Sequence, residues 1–305
     1  MNHSRRSFLL SPALLAAQTS RPIIDTHIHL FAADRKAFPL HKNAPYDPKP
    51  QPLEAYSNFV KASGLAGAVI VHPEPYQDDH SYLEYCLRNE PKPGFFRGAA
   101  LFDPLNPKTP ENLKALSERW PGRIKALRIH RYGDPAQAPA VMGAIRDRDL
   151  NSDAVRQTVL SLAGMGLMLQ MHAIPAFAPQ IAQLAIEATG TTVIVDHLCR
   201  AGMGTNAQFE AVLRLARRPN VVMKISGLSY SSNEAWPHLD VKQKYLRPLY
   251  QEFGAARLIW GGVGMDASAY SKSRQQFDAL FDFVSEPSKD LIRGQNAQRL
   301  FGWSA

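Results

Sequence analysis

The sequence is poor in cysteine, with only Cys86 and Cys199 among 305 residues. Two cysteines cannot build a disulfide scaffold or a cysteine-rich zinc finger, which excludes both classes of protein. Cys86 falls in a predicted helix and Cys199 follows a predicted strand, so we expect no disulfide between them. For Cys199, a small buried apolar role and a soft metal-ligand role both stay open.

Three further signals are missing from the sequence. The apolar run Phe8–Ala17 is too short to span a bilayer, no Gly-x-Gly-x-x-Gly turn follows the first predicted strand, and no basic stripe marks a nucleic-acid surface. The 35 lysines and arginines against 27 aspartates and glutamates give a net charge of +8. This excess indicates a mildly basic surface or an anionic small-molecule substrate. We therefore expect neither nucleic acid nor a stable membrane anchor as a partner; a homo-oligomer stays open.

The first twenty residues resemble an export leader. The segment Ser4–Leu9 contains Arg5-Arg6 and is similar to a twin-arginine signature, and small residues suited to cleavage follow the apolar run. We interpret residues 1–20 as a twin-arginine-type signal peptide and residues 21–305 as a single folded domain. This interpretation predicts a periplasmic or otherwise exported protein. An ordinary flexible N-terminus is the alternative.

Short strands rich in valine, isoleucine and leucine alternate with helices along the rest of the chain. This alternation is typical of a parallel sheet, and eight such units predict a (β/α)8 TIM barrel, with a doubly wound sheet as the alternative. The predicted strands cover residues 22–30, 66–72, 95–102, 123–130, 167–172, 191–197, 220–226 and 256–261. The predicted helices cover residues 53–63, 79–90, 109–119, 152–165, 176–189, 206–218, 240–253, 271–285 and 287–300.

One long irregular segment, residues 31–52, contains five prolines. Connections of this length are uncommon unless they have a function. The segment leaves the carboxyl end of the first strand, which is the end where barrel active sites lie. It is therefore either a lid or specificity loop, or an excursion without a role in the site.

Four of the ten histidines fall at the ends of three predicted strands, the first, the fifth and the sixth. His27 and His29 end the first strand as His-x-His, and side chains two residues apart in a strand share one side. His172 ends the fifth strand and His197 the sixth, so a closed barrel would gather all four imidazoles at one mouth. Imidazole is a frequent ligand of Zn²⁺, and the cluster predicts a metal site. Asp25 either orients one of these histidines or accepts backbone hydrogen bonds.

Five segments in order resemble the amidohydrolase superfamily, and specifically its amidohydrolase-2 group. They are Ile24–Phe31 with the run Asp-Thr-His-Ile-His, Val195–Leu198, Val222–Leu228, Arg257–Gly261 and Asn296–Phe301. The resemblance extends over nearly the whole chain after the leader and implies a (β/α)8 barrel. Members of the group include sugar-lactone and pyrone-dicarboxylate lactonases and related decarboxylases.

The resemblance also implies a metal site. It assigns His27, His29 and His172 as ligands of one divalent ion, expected to be Zn²⁺, and places His197 in the same site. Binuclear members carry a carbamylated lysine on strand 4, where this chain has Arg128-Ile129-His130, so a single ion is expected. Some lactonases of the group are thought to work without metal, and a metal-free site stays open.

The aspartate that the family has at the end of strand 8 is missing. Val263 stands at that position, in the run Trp260-Gly261-Gly262-Val263, and the next acid is Asp266. Asp266 either reaches the site as its acid or base, or it caps the helix that follows. His197 is the alternative group to move a proton.

Four further residues are predicted to contact the substrate. Arg128 and His130 share one side of strand 4, and arginine binds carboxylates with two hydrogen bonds. Lys224, within strand 7, needs an anionic partner if it is buried, either a structural acid or the substrate. The run His72-Pro73-Glu74 ends strand 2 and is expected to face the mouth as well.

The resemblance implies a metal-dependent hydrolase that opens a lactone or similar cyclic ester of a small polar or anionic substrate. Two alternatives stay open. One is a non-oxidative decarboxylase of the same superfamily. The other is a non-catalytic barrel that has lost its strand-8 aspartate.

Overall fold

The computed structural model describes residues 21–304 and shows eight parallel strands in a nearly closed barrel. Each strand pairs in parallel with the next one along the chain, which confirms the predicted (β/α)8 barrel. The predicted signal peptide, residues 1–20, lies outside the described residues. The strands are Ile24–Ile28 (β1), Gly67–Val71 (β2), Phe96–Leu101 (β3), Ile124–Arg131 (β4), Met168–Ala173 (β5), Val193–Val195 (β6), Val221–Ile225 (β7) and Leu258–Trp260 (β8).

Ten α-helices lie between and after the strands in the described part of the chain. They are Leu53–Ser63 (α1), Ser81–Arg88 (α2), Thr109–Arg119 (α3), Asp153–Gly164 (α4), Ala178–Glu187 (α5), Asn206–Arg214 (α6), Arg247–Phe253 (α7), Ala267–Leu280 (α8), Glu286–Asp290 (α9) and Asn296–Phe301 (α10). Helices α1 and α3 have the predicted bounds. Between residues 21 and 304, no helix combines the length and apolarity that crossing a membrane requires.

Two predicted helices differ from the observed ones at the end of the chain. Helix α8 begins at Ala267, four residues before the predicted start, because Asp266 serves as its N-cap. The predicted helix 287–300 is three pieces, in which the π-helical segment Leu291–Gln295 joins α9 to α10. Periodicity alone shows neither a cap before the apolar pattern starts nor a change of helical pitch.

The lower half of the barrel interior is apolar. Side chains from most strands meet there in one cluster, which includes Ile24, Val69, Ala126, Ile194, Val222 and Ile259. Ala297 and Phe301 of α10 belong to the same cluster, so the end of the chain packs against the barrel interior. The polar side chains of the site lie above this cluster, towards the carboxyl ends of the strands.

Side chains of β1 join the first and last strands. The Thr26 hydroxyl donates to the Trp260 carbonyl oxygen at 2.7 Å. The buried Asp25 carboxylate accepts the amides of Gly262 at 2.6 Å and Val263 at 3.0 Å, together with the amide of His27 at 2.9 Å. Of the two roles left open for Asp25, the structure therefore shows the backbone acceptor.

Gly294 sits where the π-helical segment crosses the chain just before β1. A Cβ atom at this position would overlap the carbonyl oxygen of Pro22. We expect Gly294→Ala to lower the free energy of unfolding by about 1–3 kcal/mol, because the two backbones must separate. Urea unfolding followed by circular dichroism measures this change. Gly164→Ala is the matched control, since it adds the same methyl group to open space at the end of α4 and is expected not to destabilise. Equal stability of the two variants would contradict the expectation.

Candidate active site

The buried carboxylate of Asp196 pairs with two cationic side chains inside the barrel, Arg128 and Lys224. Arg128 on β4 contacts Asp196 Oδ2 through Nε at 3.2 Å and Nη2 at 3.1 Å, and Gln170 Nε2 on β5 donates to the same oxygen at 2.9 Å. Lys224 Nζ on β7 lies 3.0 Å from Asp196 Oδ1. All four side chains are buried. Burial alone would raise the pKa of Asp196, but Lys224 and Arg128 hold it well below its ordinary value.

This arrangement gives Lys224 and Arg128 a structural partner. Of the roles left open for Lys224, the structure shows the buried ion pair, and the lysine is fully enclosed. Arg128 has the same partner but also lines the cavity above. Two cations share one carboxylate, so this layer retains positive charge.

The histidines form a second layer above the ion pairs. The Nε2 atoms of His27 and His29 lie 3.3 Å apart, and the ring of His197 is 4.5 Å from that of His27. The ring of His172 lies 5.2 Å from the rings of both His197 and His130. The structure therefore brings the four strand-end histidines and His130 to one mouth.

The predicted ligands of a metal ion do not form one compact set. In the described part of the chain, two groups have donor atoms within 4.8 Å of one another. They are His27, Asp196 and His197, and Glu74, His130 and His172. The set His27, His29 and His172 is not among them. The ring of His197 lies 4.5 Å from that of His27 and 5.2 Å from that of His172, so it stands next to both.

The donor chemistry fits a divalent metal such as Zn²⁺. His29 Nδ1 lies 2.7 Å from the Val71 carbonyl oxygen, so it carries the proton and leaves the Nε2 lone pair free, facing His27. Both ring nitrogens of His172 are buried without a partner. Two adjacent lone pairs and an unpartnered imidazole are what a metal ion would use.

Burial makes these imidazoles neutral. It lowers the pKa of His29 to about 4 and that of His197 to about 3, with the charge of Arg128 adding to both. The pKa values of His27, His130 and His172 are also lowered well below the ordinary value, chiefly by burial. At neutral pH the rings are therefore neutral, and their lone pairs are available to a metal ion.

A cavity of about 270 Å³ opens above the histidines. Its lining contains three arginines against a single carboxylate. The lining residues are His29, Tyr46, Glu74, Arg128, Tyr132, Arg146, His172, His197, Arg200 and Tyr230. Tyr46 comes from the long segment 31–52, whose ends pair through Phe31 and Gln51, so that segment contributes to the pocket wall.

Arg200 reaches the cavity from a strained turn. His197, Leu198, Cys199 and Arg200 all have positive φ angles, between 49° and 56°, although none of them is glycine. Such a run costs energy at each residue and persists where the surroundings determine it. The Arg200 guanidinium lies over the rings of Tyr132, at 5.1 Å, and Tyr230, at 4.2 Å. Cys199 is fully buried and belongs to neither group of candidate metal donors in the described part of the chain, so of its two roles the structure shows the small buried one.

Glu74 is the one carboxylate in the cavity lining. Its Oε1 accepts the hydroxyl of Tyr132 at 2.8 Å and lies 3.2 Å from Nδ1 of His130. Its Oε2 lies 3.2 Å from Nε of Arg146. The neighbouring His72, predicted to contact substrate, is buried with its ring 4.3 Å from that of His80 and is not among the lining residues.

Asp266 lies outside the mouth. It is exposed, and its carboxylate accepts the amides of Ser268 and Ala269 at 2.9 Å each, which is the capping role. Val263, at the position of the family aspartate, is fully buried in the core. Neither residue brings a carboxylate to the cavity, because the glycine-rich loop does not turn back towards the histidines.

Sequence reasoning missed five lining residues, namely Tyr46, Tyr132, Arg146, Arg200 and Tyr230, whereas Glu74, in the run after β2 that was expected to face the mouth, does line the cavity. The five missed residues lie in loops beyond the strand ends, where no periodicity constrains which side chain turns inward. Of these five residues, Tyr132 and Arg200 had a nearby signal, since each follows within three residues of a strand-end histidine, His130 and His197 respectively.

A (β/α)8 barrel with imidazoles and arginines around a cavity at the carboxyl ends of its strands defines a barrel enzyme. The family model described as amidohydrolase matches residues 24–303. The chain therefore belongs to the amidohydrolase family.

Known relatives extend this assignment. The chain is 25% identical to 4-sulfomuconolactone hydrolase of Hydrogenophaga intermedia, over 91% of this chain and 88% of that protein. It is 27% identical to L-fucono-1,5-lactonase of Burkholderia ambifaria, over 78% of each chain. The fold is shared with a Pseudomonas putida structure described as a 2-pyrone-4,6-dicarboxylic acid hydrolase, with a TM-score of 0.73 and 22% identity over 94% of this chain and 99% of that one.

Removing the charge of Asp196 tests the ion-pair layer. We expect Asp196→Asn to lower the free energy of unfolding by about 3–5 kcal/mol, because Arg128 and Lys224 would be left buried without a counter-charge. Urea unfolding at pH 7 measures the change. Glu187→Gln removes an ion pair with Arg156 near the surface and is expected to have a much smaller effect. An Asp196→Asn protein as stable as the control would show that the cations do not need this carboxylate.

Proposed function

We propose that the protein is a hydrolase that opens a lactone carrying an anionic group. The observation that supports this most directly is the cavity lining, where three arginines and one carboxylate surround a rim of neutral imidazoles. Guanidinium groups bind carboxylates and sulfonates through paired hydrogen bonds. The names of the relatives agree with the reaction class, since each describes the hydrolysis of a lactone or a pyrone.

We assign substrate binding and proton transfer to different residues. Arg200, held by two aromatic rings and facing the cavity, is proposed to bind the anionic group of the substrate. His197 is proposed to take the proton of the attacking water, because its ring is neutral and Ser226 Oγ fixes its Nδ1 at 2.8 Å. Asp266 has no role in this proposal, since its carboxylate is occupied at the start of α8.

We further propose that His27 and His29 bind a divalent ion, Zn²⁺, through the adjacent Nε2 atoms. Such an ion polarises a carbonyl group and lowers the pKa of bound water. His172, the third ligand implied by the resemblance, lies next to His130 and Glu74, and its ring is 5.2 Å from that of His197. A metal-free site is the variant in which the arginines alone stabilise the developing charge.

A non-oxidative decarboxylase is the second candidate, because the same arginines would hold a carboxylate substrate. The two reactions differ in product: lactone opening releases an acid, and decarboxylation releases CO₂. A barrel without catalysis would bind the substrate and produce neither. Export by the twin-arginine route and a homo-oligomeric state stay predictions from the sequence.

The substrate charge can be tested at Arg200. We expect Arg200→Gln to raise KM for a lactone with a carboxylate or sulfonate by about 10- to 100-fold, because one charge-assisted contact is lost. KM for a neutral sugar lactone should change little. Steady-state kinetics with both substrates measures the difference, and Arg214→Gln at the exposed end of α6 is the control. An equal rise for both lactones would contradict an anion-binding role.

The proton carrier can be tested by comparing two substitutions. We expect His197→Gln to lower kcat by about 100-fold or more, since it removes the imidazole next to the cavity. Asp266→Asn should leave kcat unchanged, because asparagine caps a helix as well as aspartate does. A pH-stat assay of acid release measures both. If Asp266→Asn folds normally but loses turnover, Asp266 has a catalytic role and the proposal is wrong on this point.

A further inference from the structure

A second cavity, of about 320 Å³, lies between the carboxyl ends of β7 and β8 and one face of α8. In the described part of the chain, it shares no lining residue with the cavity above the histidines. The turn after β7 stands between the two spaces, since Ser226 and Ser229 line this cavity and Tyr230 lines the other. Neither the family resemblance nor the proposed reaction gives this second cavity a role.

The lining of the second cavity is polar and, among the described residues, contains no carboxylate. It includes three serines, Gln276, His238 and one lysine, Lys272. Within residues 21–304 Lys272 makes no ion pair, so its charge is available to a ligand. Hydroxyl and amide groups both donate and accept hydrogen bonds, and the lysine adds one positive charge. The lining therefore suits a hydroxylated ligand with a single negative charge.

Trp236 adds an open aromatic surface to the second cavity. This tryptophan is 48% exposed, although aromatic rings of its size are usually well buried. The loop that carries it is fixed at both ends, because Gln276 Nε2 donates to the Pro237 carbonyl oxygen at 3.1 Å and the Ser232 hydroxyl donates to Asp240 at 2.6 Å. A ring held in place beside a cavity can cover a ligand with little further loss of conformational freedom.

We propose that the second cavity binds a sugar acid, which is a hydroxylated ring that carries one carboxylate. The apolar face of such a ring would pack on Trp236, its hydroxyl groups would bond to the serines and Gln276, and its carboxylate would meet Lys272. A volume of about 320 Å³ is at the small end of the range for ligand sites, which suits a single ring. The inference goes beyond the proposed reaction and does not depend on it.

The signals of the tryptophan indole groups show where a ligand binds. The protein has four tryptophans, of which Trp236 and Trp260 line the cavity. The other two lie elsewhere, since Trp120 Nε1 donates to Glu84 and Trp303 Nε1 donates to the Gly94 carbonyl oxygen. Isotope-labelled protein is titrated with D-glucuronate and followed by NMR, and Trp236→Phe assigns the signal of Trp236. Separate titrations use D-glucose, which lacks the carboxylate, and cyclohexanecarboxylate, which lacks the hydroxyl groups.

We expect glucuronate to shift the signals of Trp236 and Trp260 until saturation and to leave those of Trp120 and Trp303 unchanged. Lys272→Gln should weaken binding by about 3- to 10-fold, because one charge-assisted contact is lost. Trp236→Ala, followed on the Trp260 signal, should weaken it by about 10-fold or more, because the apolar face is lost. Glucose and cyclohexanecarboxylate should each bind more weakly than glucuronate.

Two variants are controls for this experiment. Lys114→Gln removes an exposed lysine of α3 that is not part of the cavity, and Arg200→Gln removes the arginine assigned to the lactone substrate. Both should bind glucuronate as the native protein does, and circular dichroism checks the folding of every variant.

An affinity that falls in Arg200→Gln but not in Lys272→Gln would place the sugar acid in the active site and overturn the inference. It is also overturned if the Trp236 signal does not move, if Lys272→Gln binds as tightly as the native protein, or if the three probes bind equally. None of these outcomes depends on whether a lactone is hydrolysed.

Discussion

The site depends on one buried carboxylate that holds two cations inside the barrel. Asp196 connects β6 to β4 through Arg128 and to β7 through Lys224, so three strands are tied together directly beneath the histidines. Charges this deep are tolerated only when they are paired. Because the cations outnumber the carboxylate, positive charge remains under the mouth. That charge adds to burial in keeping the imidazoles neutral, and it favours an anionic ligand above them.

The carboxyl end of strand 8 has become part of the scaffold. Val263 packs into the core, and its amide donates to Asp25, which also accepts the amide of Gly262. The seam between the first and last strands is thus closed by a side chain of β1, in a barrel whose described strands pair in order from β1 to β8. The carboxylate that faces the cavity comes instead from the segment after β2, as Glu74.

The backbone segment that brings Arg200 to the cavity is strained. Four successive residues, His197 to Arg200, are left-handed without a glycine among them. The turn places His197 against Ser226 and Arg200 against two aromatic rings within four residues. These contacts, together with the burial of Leu198 and Cys199, offset the strain. The strain retained beside the cavity indicates that the site needs the side chains of His197 and Arg200 close together.

The sequence by itself determined the barrel, its strands and the gathering of histidines at one mouth. Alternating apolar strands and helices specify parallel pairing, and a histidine at a strand end must lie at the rim of a closed sheet. Only the tertiary structure decided which donors meet. His172 lies with His130 because the two are register partners on the neighbouring strands β4 and β5, and Asp266 caps α8 because its loop does not turn inward. The distances across a barrel and the paths of its loops depend on how the whole chain closes in three dimensions. Local sequence patterns carry no information about either.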